Sequence, residues 1–569
     1  MKLFYYIFRL ILYTFIFLGI FNSSYSKILN FNQSDKNISS YFSGMISFDN
    51  FDYLNAQRFF NDLSESSMNN KNFSSRFIQT LIGLEKYQEA YSYSKKLEKK
   101  SLSNFESNLI QGLFEFKNKN YNKAKIYFGK LDPSFEHRLL FSPLQISLKN
   151  WSDIAILNNK TSINSIKSMP AEYGSFKNVQ SAFAHCYLDT ADTEKEFNKI
   201  IKDEQNKFYR YNFFFANHLA RKGKYKEAES IVILTSKKFP RNLLINQFGE
   251  TLRKRGKSKN EFNCQEASNV IAEIFYAFAN ALATQRNYQL SNFYIGLSKY
   301  LNPDFLSYDG LLAENLIKLK KYDEAKKIYK KLIALGSYYK WHSSKEIALI
   351  LEFQGKRKDS KNFLLKAYDD IDKSIYRTFD LANFLRDDEN DGYNEAIKLY
   401  SEILSKIQKD HELYPKVLDR RGTAYERIGN WKLAEKDLSL SLEVLPNQAY
   451  TINYLAYTWI EKEMNTRKAL TMLKKANSLK ENDGYITDSL GWALYKLKNF
   501  SEAEVYLQRA TILMPEDPIV NDHFADCLWM NNKKIQARYY WKYVLTLEDI
   551  EKELRQKIEN KLLFGVEKS

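Results

Sequence analysis

Apolar and small residues recur along this chain with two nested periods. Within stretches of about a dozen residues they return every three or four positions, as on one face of a helix. The small residues among them also return at a longer fixed interval. Gly422, Ala456, Gly491 and Ala525 lie 34, 35 and 34 residues apart, and Ala434, Ala469, Ala503 and Ala537 lie 35, 34 and 34 apart. The pattern predicts pairs of amphipathic helices joined by short turns. In GYITDSLGWALYKLKNFSEAEVYLQRATILMPED, Gly484 to Asp517, a first helix carries Leu490-Gly491 and Phe500 marks the turn. A second helix carries Ala503 and Ala510, and Pro515 ends it, having no N–H to continue the ladder. Similar units run from Pro415 to Gln448, Ala449 to Asp483 and Pro518 to Glu551, and upstream from Tyr209 to Asn242, Ala272 to Phe305 and Leu306 to Tyr339. Looser copies surround Gly112, Ala348 and Ala396.

Small residues are needed where two helices approach to about 8–10 Å, so Gly491 is expected to face Ala503, with Ala510 admitting the next unit. Each hairpin alone leaves an apolar face exposed, and stacking buries it. The period and the small-residue positions resemble the tetratricopeptide repeat (TPR). The resemblance implies an all-α, right-handed superhelical solenoid of TPR helix hairpins. Residues 267–413 read as a central array and 414–551 as a C-terminal array of four regular repeats. Residues 71–260 read as an irregular N-terminal array, with a break between Phe141 and Ser175 where Pro143 and Pro170 disturb the period. Residues 27–70 supply linker and capping helices. In 552–569 a last helix continues the apolar stripe Ile550, Leu554, Ile558, Leu562 and closes the open end.

Two compositional features bear on location. Lys2 and Arg9 precede an uncharged run from Leu10 to Phe21 and small residues near Ser24 and Ser26, so residues 1–26 read as a secretory signal. The run is shorter than the roughly 20 residues that span a bilayer, unless Leu3 to Phe8 extend it into an uncleaved anchor. The expected site of the mature chain is the periplasm, with inner-membrane anchoring as the alternative. The formal charge of +17 comes with Lys, Asn, Ile, Phe and Tyr abundant everywhere, the pattern of a biased genome, so no nucleic-acid partner is read from it. Cys186, Cys264 and Cys527 are too few and too widely spaced to suggest a disulfide framework or a zinc ribbon.

The stretches NVIAEIFYAFANALATQRNYQLSNFYIGLSKYLNPD, DGYITDSLGWALYKL and EDPIVNDHFADCLWMNNKKIQARYYW resemble secreted TPR proteins of Gram-negative bacteria. That resemblance implies a cell-envelope interaction scaffold and supplies no catalytic residues.

Candidate chemistry is sparse. GETLRKRGKS, Gly249 to Ser258, ends like a phosphate-binding loop, but six residues separate its glycines where such a loop has four. The same interval of seven, small residue to glycine, recurs from Ala216 to Gly223, Ala348 to Gly355 and Gly422 to Gly429, so it belongs to the repeat. His523, Asp526 and Cys527 share a helix without a fourth metal ligand, and His185 and Cys186 point about 100° apart, so neither pair is read as a site. No metal, cofactor or catalytic residue is assigned.

A binding surface is expected instead. Positions 5, 9 and 12 of each first helix lie at about 120–180° around its axis, away from the core positions near 30°. In the last four units they are Asp419, Thr423 and Glu426; Asn453, Tyr457 and Ile460; Asp488, Trp492 and Tyr495; and Asp522, Asp526 and Trp529. An acidic and aromatic concave groove of this kind suits a basic extended or helical protein segment. The competing readings are a glycan or cell-wall fragment stacked on the tryptophans, and plain packing of those aromatics against the neighbouring unit.

Overall fold

The computed structural model describes residues 35–63, 69–131, 138–170, 173–202, 209–256, 260–387, 392–548 and 550–566. The expected signal segment, and Lys257-Ser258 of the loop-like motif, lie outside them. Among the described residues every regular element is helical, and the one β contact is a bridge between Asn260 and Phe305. None of these helices is long and apolar enough to cross a membrane. The fold is an all-α solenoid of helix hairpins, divided into two compact units at residues 1–350 and 351–569.

One turn design builds most hairpins. After the first helix a single residue adopts positive φ, and the next N–H returns to a carbonyl five residues back: Asn430 to Tyr425 at 2.8 Å, Asn499 to Leu494 and Lys533 to Leu528 at 2.9 Å. These bonds use carbonyls that the helix end leaves free. Gly223, Gly355 and Gly429 hold this left-handed place, with φ of 78°, 72° and 80°, which is why glycine recurs seven residues after a small residue. In GETLRKRGKS the place is taken by Arg255, not Gly256. Second helices stop at Val444 and Leu513, two residues ahead of Pro446 and Pro515.

Within a hairpin the close contact differs in one respect from expectation. A Cβ on Gly491 would meet Leu507, lying 2.6 Å from its Cγ and 3.1 Å from its backbone N, rather than Ala503. Side chains in a helix lean toward its N-terminus, so the leucine one turn after Ala503 covers the spot that the alanine leaves open. Gly422 repeats the arrangement against Leu438, whose Cγ a Cβ would approach to 2.9 Å.

In the first unit, α1 (Lys71–Gly83), α2 (Phe105–Lys117) and α3 (Arg138–Leu157) are the first helices of successive hairpins. Helix α3 carries Pro143, and short pieces at Lys160–Ile163 and Asn164–Lys167 follow it, so the period is broken where the prolines lie. The hairpin of α4 (Ala267–Thr284) and α5 (Tyr288–Leu301) packs back onto these earlier helices. A side chain at Gly296 would collide with Ile82 of α1 at 2.6 Å, so glycine sets how closely α5 can approach. Tyr300 stacks on Phe114, 5.0 Å between centroids, and Phe114 on Tyr91 at 4.2 Å. Lys117 Nζ sits 4.3 Å over the Tyr300 ring and donates to its carbonyl. One apolar core runs from Met45 to Leu311. The hairpin expected to open a central array at residue 267 thus belongs to the first unit, held there by contacts some 200 residues distant in sequence.

Two covalent or ionic ties reinforce this unit. Arg210 makes a bidentate pair with the buried Glu273, at 2.6 and 2.9 Å, beneath the ring of Tyr276 at 4.0 Å. Cys186 and Cys264 form a disulfide, Cα–Cα 5.8 Å, where the sequence suggested no cystine link. Their separation of 78 residues hid the pairing, because it is made by the fold and not by local spacing.

The second unit stacks α6 (Ile375–Arg386), α7 (Tyr414–Arg427), α8 (Ala449–Glu461), α9 (Gly484–Lys496) and α10 (Pro518–Met530) as first helices. Helix α11 (Lys552–Phe564) closes it, with Ile558 fully buried and Leu554 and Leu562 partly so, as the apolar stripe implied.

Candidate binding groove

The expected groove residues fall on successive first helices of the second unit but differ in accessibility. On α7, Asp419, Thr423 and Glu426 are half-buried and engaged locally. Asp419 accepts from Thr451 at 2.7 Å, the Thr423 hydroxyl donates to the Asp419 carbonyl at 2.9 Å, and Glu426 accepts from the Tyr454 hydroxyl at 2.7 Å. On α8, Ile460 is core, whereas Asn453 and Tyr457 are half-buried. Burial, then Glu461 and Asp488, push the Tyr457 hydroxyl above the usual phenol range, so it stays a donor.

Toward the C-terminal end the wall is packed. Trp492 lies flat on His523, 3.9 Å between centroids, and on Tyr495 at 4.7 Å, and its Nε1 donates to Glu461 at 2.7 Å. Asp488, Asp522 and Asp526 are all buried. Asp488 contacts His523 Nδ1 at 2.9 Å, and Lys561 of α11 donates at 2.8 Å to Asp522 and to Asp526, which also accepts from Trp541 Nε1 at 3.1 Å. Trp529 packs against Trp541 and is covered by Gly565, where a Cβ would come within 2.3 Å of the indole. These three carboxylates therefore present no acidic surface to a partner; their charges are answered within the chain, because burying them unpaired costs far more. The period itself pointed to part of this, since residue 523 is one repeat on from 488. Nothing in the sequence singled out Lys561.

The nominal ligands His523, Asp526 and Cys527 do not converge: Cys527 Sγ donates to the Phe500 carbonyl at 3.4 Å while the other two are paired as above. Cys186, His218 and Cys264 do gather, with donor atoms within 4.8 Å. Their sulfurs are bonded to each other, and His218 Nδ1 lies 3.2 Å from Cys186 Sγ. His185 turns away to the Thr190 hydroxyl at 2.6 Å.

The open part of the wall lies at the other end. A cleft of about 540 Å³ spans α6, α7 and the start of α8. Phe379, Asn383 and Arg386 line it from positions 5, 9 and 12 of α6, one unit earlier than the sequence-based set, together with Lys416 and Arg420. Further along, Tyr450 and Tyr485 are 57% and 61% exposed at equivalent places near the starts of α8 and α9.

No protein-family profile matches the chain. A TPR repeat-containing protein of Pseudomonas aeruginosa is 29% identical over 130 residues, 23% of this chain and only 21% of that protein's length. Among solved structures, a Thermus thermophilus TPR protein aligns with 33% of this chain and all of its own, at 17% identity and a TM-score of 0.29. A tetratricopeptide repeat protein from Parabacteroides merdae aligns with 39% of this chain and 87% of its own, at 19% identity and a TM-score of 0.32. MamA from Desulfovibrio magneticus aligns with 32% and 96%, at 16% identity and a TM-score of 0.27. The structural likenesses carry no functional weight. The repeat period and the recurring hairpin turn define the class, an all-α solenoid of helix hairpins, and the matched stretch is similar to a TPR repeat-containing protein.

Proposed function

We propose that this chain is a non-enzymatic interaction scaffold of the bacterial cell envelope, holding a segment of a partner protein along the inner wall of its second unit. The observation that carries this reading is the contrast between the two walls. In the first unit α1, α2 and α3 are covered by the chain's own α4–α5 hairpin, whereas in the second the wall from α6 to the start of α9 keeps its cleft, Tyr450 and Tyr485 accessible. Exposed tyrosines at repeat spacing offer rigid anchors at low entropic cost. The concentration of acid and base groups around His523 is consumed by mutual pairing, which favours a structural role over a catalytic one.

The compartment is supported by the Cys186–Cys264 disulfide, a bond that persists in oxidising surroundings, and by the signal-like pattern of residues 1–26. The test is site-specific photocrosslinking in living cells, with the reactive group at Tyr450 or Tyr485 and, as control, at the outward Ile512, 75% exposed. Protein adducts specific to the two tyrosine positions are expected. Adducts equal to those at Ile512, or formed only with cell-wall glycan, refute the reading.

A further inference from the structure

We infer that the open end of this groove takes an acidic segment of its protein partner, with carboxylates seated on Lys416, Arg420 and Arg386 and apolar side chains lying along Tyr450 and Tyr485. The inference rests on the groove reading above and reverses the charge that the sequence suggested for the ligand.

Three of the four charged side chains lining the cleft are cationic. Lys416 and Arg420 stand four residues apart on α7, hence on one face, and both are exposed. Lys416 makes no ion pair among the described residues. Arg420 lies 3.8 Å from Asp419, beyond hydrogen-bond reach, so its guanidinium keeps free N–H groups. Arg386 faces them from α6, its charge shared with the exposed Asp387 at 2.8 Å. The buried Tyr400 hydroxyl donates to Asn383 Oδ1 at 2.7 Å, which fixes the orientation of that amide. Asp419 is the single carboxylate in the lining, and it is already an acceptor for Thr451. An ionised carboxylate is acceptor-only, so it matches this set, while a lysine-rich segment meets like charges.

The three aspartates at the far end of the wall are closed to a basic ligand, because His523 and Lys561 occupy Asp488, Asp522 and Asp526. Successive first helices stand about 8–10 Å apart, about three residues of extended chain. Acidic residues on α6–α7 and apolar residues about three positions on, over Tyr450 and then Tyr485, therefore describe one continuous peptide. That combination distinguishes a protein segment from a bare anion or a charged lipid surface, neither of which uses the tyrosines.

The full chain is titrated into a fluorescein-labelled peptide that alternates glutamate pairs with phenylalanine, and into its lysine-for-glutamate counterpart, reading fluorescence anisotropy. The acidic probe is expected to bind, to weaken with added salt, and to lose affinity about tenfold or more in Lys416→Glu/Arg420→Glu. The charge-neutral Lys416→Gln/Arg420→Gln serves if the reversal disturbs folding by circular dichroism. Equal binding of the lysine probe, or an acidic affinity that the substitutions leave unchanged, overturns the inference. Displacement of the acidic probe by inorganic phosphate or phosphatidylglycerol vesicles as readily as by unlabelled peptide overturns the assignment to a protein. Protein adducts at Tyr450 together with failure of the acidic probe would leave the groove reading standing and remove only this one.

Discussion

The ammonium of Lys561 on α11 reaches both carboxylate oxygens of Asp522 on α10 at 2.8 Å, and a third bond of 2.8 Å goes to Asp526. All three side chains are at most 10% exposed, so the closing helix is held by an internal ion cluster as well as by Ile558. Removing the cation strands two buried carboxylates. Lys561→Met is expected to destabilise the second unit by about 3 kcal/mol in urea unfolding, and Asp522→Asn/Asp526→Asn in the same background to restore much of it. A loss within about 0.5 kcal/mol would show that the cluster is solvated and energetically idle.

The same cluster sets a pH dependence. Burial and the neighbouring Asp522 push the Asp526 carboxyl up to about 6, against the pull of Lys561. Asp488, with Asp522 and Asp526 behind it, raises His523 above the usual imidazole range despite burial. Both groups hold protons more tightly folded than unfolded. Their contribution is thus fully present below the ordinary carboxylate range and is lost as pH rises through about 6 and past the histidine range. The melting midpoint of the chain is expected to fall between about pH 5 and about pH 8, and to fall less in His523→Gln/Asp526→Asn. A steeper fall in the variant would contradict the assignment.

Gly491 is required by its contact with Leu507. In Gly491→Ala the new methyl meets the leucine side chain and, at 3.1 Å, its backbone N, which cannot swing aside. Helix propensity favours alanine by about 1 kcal/mol, so a net loss of about 1–2 kcal/mol by chemical denaturation would isolate the overpacking. The paired substitution Gly491→Ala/Leu507→Ala is expected to recover part of it.

The left-handed turn position tests the opposite sign. Lys498 sits at φ 62° where Gly429 sits at 80° two units earlier. Lys498→Gly is expected to stabilise by up to about 1 kcal/mol, because glycine adopts this conformation without the Cβ penalty. A destabilised variant would mean that the lysine side chain contributes more than the strain.

The disulfide spans 78 residues, for which chain entropy suggests about 4.5 kcal/mol. Cys186→Ser/Cys264→Ser is expected to lower the stability of the first unit by 2–5 kcal/mol and leave the second unit's cleft able to bind its acidic probe. Intact-mass measurement of the chain isolated from its native cells, with and without reduction before alkylation, checks the bond itself. Alkylation of both cysteines without reduction refutes it.

How much was legible beforehand depends on the range of the contacts involved. The sequence by itself determined the hairpins, their turns and their stops, because each depends on residues within one repeat or its neighbour: Gly429 and Phe500 at the turns, Pro515 after a second helix, Gly491 at a crossing. Such contacts recur at fixed spacing and leave a period. Only the tertiary structure decided that Gly296 would sit against Ile82, that Cys186 would reach Cys264, and that Lys561 would silence Asp522 and Asp526. These partners meet once each and leave no repeating trace, and whether a carboxylate faces water or an ammonium is settled by the folding of both segments together. Periodicity placed Asp488, Asp522 and Asp526 on one face of their helices but did not show that each is buried and paired, because a helical wheel places a residue on a face without saying which neighbour lies over it.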